Sequence, residues 1–165
     1  MSSTDELLAN AARYAAAFDK AGLPTPPARK VAVVACMDSR LNVFALLGLA
    51  EGDAHVIRNA GGLITDDQIR SLALSQRLLG TEEIILIHHT ECGMQSVPDE
   101  EFRRQLLDDT GIEPPWAVES SDDLDANVRM SMARIVASPF IPVTSKMRGF
   151  IYDVRDGTLR EVTPH

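Results

Sequence analysis

The sequence predicts an α/β fold, a central and mostly parallel sheet flanked by helices and closed by an antiparallel C-terminal edge hairpin. Three observations carry this expectation. Short apolar runs rich in β-branched residues recur at about 31–35, 54–58 and 83–88, spaced widely enough for a helix between successive runs. Helix start and stop signals fill those spaces. Near the end, Asp156-Gly157 separates two alternating runs, the signature of a tight hairpin.

Taken in order, the first element is a helix over about 3–20. Ser3 and Glu6 have capping-box spacing, Leu7, Leu8, Ala11, Tyr14, Ala15 and Phe18 share one face, and Gly22 with Pro24, Pro26 and Pro27 ends it. This helix precedes the alternating part of the chain, so its apolar face needs either its own domain or a partner subunit. The run at 31–35 reads as a strand buried on both faces. A short helix over 43–47 stops at Gly48. The second strand runs into Asn59-Ala60-Gly61-Gly62. Thr65 and Gln68 open the next helix, which ends at Gly80, and the third strand follows. Helices near 99–108 and 121–137 precede the closing strands at 149–154 and 158–162. Alternating strands and helices imply parallel pairing with right-handed crossovers.

The bulk composition narrows the function. With 165 residues, 45% hydrophobic and 24% charged, residues 1–165 fit one domain. A formal charge of −8 argues against nucleic acid or an anionic membrane as partner. No run approaches the roughly 20 apolar residues of a membrane span. The polar, acidic start lacks the order of a signal peptide, so a cytoplasmic location is expected.

The chemistry gathers at strand ends. Cys36 follows the first strand, and His88-His89-Thr90-Glu91-Cys92-Gly93 follows the third. Ligands of open parallel sheets bind beyond the carboxyl ends of the strands, so two thiols and an imidazole would meet at one sheet edge. These donors suit zinc, and three of them leave a fourth position open, the catalytic arrangement. His88 and His89 point to opposite sides if the strand continues through both. The His-x-x-Cys spacing favours His89 as the ligand and leaves His88 to the core or to a supporting role. Two thiolates donate strongly and make a bound water less acidic, so a group that favours hydroxide gains value. Asp38 and Arg40 supply one. Arg40 can clamp Asp38 and keep it ionised, and Asp38 can accept the hydrogen of zinc-bound hydroxide.

Cys36-Met37-Asp38-Ser39-Arg40, Arg58-Asn59-Ala60-Gly61-Gly62 and His89-Thr90-Glu91-Cys92-Gly93 together resemble the β-class carbonic anhydrases, with His89 following Cys36 by 53 positions. The resemblance runs from the first helix to the final hairpin. It implies one zinc per chain on Cys36, His89 and Cys92, with Asp38 and Arg40 as the catalytic dyad. Gly61 and Gly62 would line the substrate pocket, at a wall where a side chain would block the substrate. It also implies a homodimer or homotetramer in which residues 1–22 embrace a neighbour. Many members carry a glutamine ahead of the first strand; here Pro26-Pro27-Ala28-Arg29-Lys30 has none. That departure and the short chain resemble a small bacterial branch that also contains carbonyl sulfide hydrolases.

Reversible hydration of carbon dioxide to bicarbonate is therefore the expected activity. Hydrolysis of carbonyl sulfide or carbon disulfide on the same zinc is the alternative. A zinc or redox sensor is a weaker third reading, because a sensor has no need of an oriented Asp–Arg pair. His55 is expected to be structural, and Trp116 to belong to a loop or to core packing.

Overall fold

The computed structural model describes every residue except Met1, Ser120 and His165, and of Ser96 the backbone alone. Helix α1 spans Ser3–Ala16, followed by β1 (Val31–Cys36), α2 (Val43–Leu47), β2 (Ala54–Asn59), α3 (Asp66–Arg77) and β3 (Glu83–His89). Helices α4 (Asp99–Thr110) and α5 (Leu124–Ala137) then lead to β4 (Met147–Tyr152) and β5 (Leu159–Val162). Short 3-10 turns at Ala60–Gly62 and Gly93–Ser96 extend beyond β2 and β3.

The five strands lie in the order β2-β1-β3-β4-β5. All pairs are parallel except β4 with β5, which are antiparallel. The chain leaves β1 for one side to make β2 and crosses to the other for β3. The topological switch therefore falls between β1 and β3. β1 is an interior strand, flanked by β2 and β3, and its composition matches that position. Ala32, Val33, Val34 and Ala35 are all fully buried. Alternation divides them between two cores. Ala32 and Val34 join Leu72 of α3 and Val128, Met132 and Ile135 of α5. Val33 and Ala35 face Leu41, Val43 and Ile87 on the other side.

Several boundaries differ from the sequence expectation. α1 is capped by Ser2, not Ser3: Asp5 N–H donates to Ser2 Oγ (3.2 Å) and Ser2 N–H donates to the Asp5 carboxylate (2.8 Å). Two overlapping Ser-x-x-acid signatures compete there, and the earlier one wins. The helix stops at Ala16, short of Lys20, which instead pairs with Glu51 at 2.7 Å. α5 begins only at Leu124, because Asp123 caps it through Ala126 N–H (2.9 Å). β4 starts at Met147, where pairing with Ile84 sets its register to β3. The capping box of Thr65 and Gln68 forms as expected.

One contact ties α5 to the sheet. A Cβ at Gly149 would lie 2.3 Å from Val128 Cγ1, so the helix can approach β4 this closely only over glycine.

Candidate metal centre

Cys36 is the last residue of β1 and His89 the last of β3, so both side chains emerge at the carboxyl edge on either side of the switch point. Cys92 follows after a turn in which Glu91 takes a left-handed conformation, φ 53°. The donor atoms of Cys36, His89 and Cys92 all lie within 4.8 Å of one another, and all three residues are buried. The two sulfurs are 3.8 Å apart. The structure brings His89, not His88, to the sulfurs. His88 shares its face with Ile84 and Leu86, is 2% exposed, and borders a small cavity with Leu124 and Asn127 of α5.

The donor set fits a soft divalent cation. His89 Nδ1 hydrogen bonds to the carbonyl of Thr90 at 2.9 Å, which fixes the ring. Its Nε2 is buried and has no hydrogen-bond partner, as expected of a nitrogen reserved for a metal. Each sulfur receives a backbone N–H from two residues further on, Asp38 for Cys36 and Met94 for Cys92. The hydrogen bond from Cys92 pulls the Cys36 thiol down to about 4. That same bond and burial push the Cys92 thiol well up. The pair thus keeps one proton, and a divalent cation would neutralise both sulfurs as thiolates. Burial lowers the basicity of His89, but the neighbouring Cys36 sulfur outweighs it and the net shift is upward.

Asp38 lies beside this cluster, its Oδ2 3.8 Å from His89 Nε2. Arg40 grips it by two side-chain bonds, Nε to Oδ1 at 3.0 Å and Nη2 to Oδ2 at 2.8 Å, and by its backbone N–H at 2.9 Å. These bonds hold the Asp38 carboxyl far below the usual carboxylate range. Arg40 Nη2 also donates to the carbonyl of Glu91 at 2.9 Å, and Glu91 in turn pairs with Arg155 of the β4–β5 turn. The dyad is therefore tied to the loop that carries Cys92.

Gly61 and Gly62 sit between the two ligand strands. Gly61 (φ 77°) lines the small cavity, where a Cβ would meet Leu63 Cγ at 3.1 Å and Met94 Cγ at 3.7 Å. Gly62 (φ 70°) backs onto β1, its Cβ position 2.9 Å from Cys36 N and 3.1 Å from Ile87 O. Two residues here went unassigned by sequence reasoning. Gln95 Oε1 accepts the backbone N–H of Cys92 at 3.1 Å, and Arg58 reaches the carbonyls of Cys36 and Asp38. Only the Arg58 motif stood out in the sequence. Nothing local in Met94-Gln95 announces a turn that caps a ligand. His55 is structural as expected, bonded through Nδ1 to Ser75 Oγ at 2.8 Å, and Trp116, expected in a loop or in core packing, lies in the loop between α4 and α5 and is 53% exposed.

A parallel α/β sheet with a Cys–His–Cys cation site at its switch point and an Asp–Arg pair beside it defines a class of zinc-site α/β proteins. The relatives narrow that class. The family model for carbonic anhydrase matches residues 31–159. Beta-carbonic anhydrase 1 of Mycobacterium tuberculosis is 55% identical over 164 residues, covering 99% of this chain and all of that protein. The crystal structure of carbonic anhydrase from Streptococcus mutans superposes with a TM-score of 0.87 at 43% identity, covering 99% of each chain. A carbon disulfide hydrolase of Acidithiobacillus thiooxidans is 39% identical over 85% of this chain and 79% of its own length. The chain belongs to the β-carbonic anhydrase family.

Proposed function

We propose that this protein is a zinc-dependent carbonic anhydrase that interconverts carbon dioxide and bicarbonate. One observation carries the reading: a buried three-donor soft-metal site stands beside a carboxylate locked by Arg40 and 3.8 Å from the ligand nitrogen. Zinc on Cys36, His89 and Cys92 would act as a Lewis acid that brings the pKa of a water toward neutrality. The chain's own residues do the rest. Asp38, held ionised by Arg40, accepts a hydrogen bond from the attacking oxygen and aims its free lone pair at the substrate. Arg40 holds that acceptor in place through the Glu91 carbonyl. Leu63 and Met94 beside Gly61 present an apolar wall, suited to a small uncharged molecule.

Stopped-flow measurement on zinc-loaded protein tests this, with carbon dioxide, carbonyl sulfide and carbon disulfide compared on one preparation. Rapid hydration of carbon dioxide is expected. Hydrogen sulfide release without hydration would favour the second reading, a carbonyl sulfide or carbon disulfide hydrolase, which the likeness to a carbon disulfide hydrolase supports. No turnover of any of them would leave a sensor.

The same reading extends to assembly and place. No residue of α1 is buried, and Leu7, Leu8 and Tyr14 along it and Phe18 just beyond its end are 49–66% exposed. An apolar helix face of that size suits a second copy of the chain, so residues 1–22 serve as an arm in a homodimer, alone or paired into a tetramer. Residues 1–165 then act as one domain, and no helix among the described residues is long and apolar enough to cross a membrane. The two unpaired thiols suit a reducing cytoplasm.

A further inference from the structure

We infer that Arg58 is a positioning residue that holds the Cys36–Asp38 turn in the shape needed to bind metal and present Asp38. The inference rests on the zinc-site reading above and goes beyond it, to a residue outside both the ligand set and the dyad. Arg58 lies on β2, directly opposite Ala35 in the β1–β2 register. Its guanidinium turns back over the end of β1. Nε and Nη2 both donate to the Cys36 carbonyl, at 2.9 and 2.6 Å, and Nη2 also donates to the Asp38 carbonyl at 2.8 Å.

These bonds complete the polar accounting of a sharp turn. After Cys36 the chain leaves the sheet, so its carbonyls lose their ladder partners just where a ligand and an acceptor must be placed. Met37 N–H donates to the Asn59 carbonyl at 2.8 Å, and Asp38 N–H reaches Cys36 Sγ. Arg58 supplies the side-chain donors for the Cys36 carbonyl and joins Leu41 N–H (3.1 Å) on the Asp38 carbonyl, bridging the two. One planar fork thereby fixes the peptide on both sides of Met37, and with it the direction of the Cys36 sulfur and of the Asp38 carboxylate. A lysine could place a single ammonium near one carbonyl but could not span both with the same geometry. Arg58 touches neither ligand atoms nor the carboxylate, so it acts through the backbone alone.

The test uses full-length wild type with Arg58→Gln and Arg58→Lys. Three quantities are measured: the rate of zinc transfer to a chromophoric chelator, the visible spectrum of the cobalt(II)-substituted protein, and the unfolding midpoint of the metal-free protein. Loss of a group that orients metal ligands typically costs about 10–100-fold in metal affinity. Arg58→Gln should therefore release zinc about 10–100-fold faster and shift the cobalt–thiolate bands, while the metal-free midpoint moves little. Arg58→Lys should recover part of the retention. Should Arg58→Gln fail to fold, Arg58→Lys alone decides, and it must still lose zinc faster than wild type. Unchanged release and unchanged cobalt spectra would overturn the inference. So would faster release accompanied by a matching fall in the metal-free midpoint, which marks general destabilisation. Wild type that binds neither zinc nor cobalt would instead remove the metal-site reading, and this inference with it.

Discussion

Asp38 illustrates how much a single residue's role depends on which of its atoms are already engaged. Both oxygens accept from Arg40, yet Oδ2 still lies 3.8 Å from His89 Nε2, within reach of anything bound at the metal position. Asn is isosteric but brings an N–H₂ group to a place where Arg40 already points donors. Asp38→Asn should lower carbon dioxide hydration on the order of 10²-fold or more, as when an orienting acceptor is lost. Zinc content, read by elemental analysis, should not change. Unimpaired hydration would remove Asp38 from the mechanism and leave the metal site standing. The two adjacent histidines give a second contrast at this scale. His89→Ala should lose zinc and His88→Ala should retain it; the reverse would overturn the ligand assignment.

His88 also carries a pH dependence. Burial holds its pKa down at about 4, against an ordinary 6.5. A folded-state pKa below the unfolded one favours the neutral ring, so this contribution is complete above pH 6.5. It is lost as pH falls toward 4, because the unfolded chain takes up the proton first. The loss amounts to about 3 kcal/mol at most. Urea unfolding of the metal-free protein at pH 7.5 and 4.5 should show a larger loss for wild type than for His88→Asn. Equal losses would mean that other groups account for the acid limb.

At the scale of elements, α1 and α5 make opposite predictions. α1 buries none of its residues within the chain, so removing residues 1–20 should weaken self-association far more than it disturbs the sheet. Sedimentation of the truncated protein would show a monomer at concentrations where the full chain is a dimer; an equally stable dimer would count against the arm. α5 is different because it supplies Val128, Met132 and Ile135 to the core. Its fit to β4 depends on the missing side chain at Gly149. Gly149→Ala should cost about 1–3 kcal/mol of stability by overpacking against Val128, measured by denaturant midpoint. The sequence placed α5 in the right region but began it three residues early, because Ser121 and Asp123 are both acceptable caps and only the packed helix selects Asp123.

For the molecule as a whole, a metal held by Cys36, His89 and Cys92 would join parts of the chain more than fifty residues apart. Cys36 ends β1, while His89 and Cys92 flank the exit from β3, so a bound cation clips the two central strands together at their carboxyl ends. A ligand that binds only the folded state and is present at about 100 times its Kd adds about 2.7 kcal/mol. For a chain of this size that corresponds to roughly 5–10 °C in Tm. Metal-free protein should therefore melt lower by about that amount, and restored zinc should recover it. A Tm indifferent to zinc would mean that the three donors do not act as one site.

The sequence by itself determined the alternation of strands and helices, the antiparallel closure and the placing of Cys36, His89 and Cys92 at strand ends. Those features rest on local periodicity, on turn residues such as Asp156-Gly157, and on donor types whose spacing is visible along the chain. The tertiary structure alone decided where β4 begins, since that depends on pairing with Ile84 of β3. It alone set His88 against Leu124 and Asn127 of α5, beside a small cavity. It alone carried Arg58 across to the carbonyls of Cys36 and Asp38, some twenty positions earlier in the chain. The physical reason is common to all three. A side chain's partner is set by strand order and register, which bring together residues that no local pattern connects.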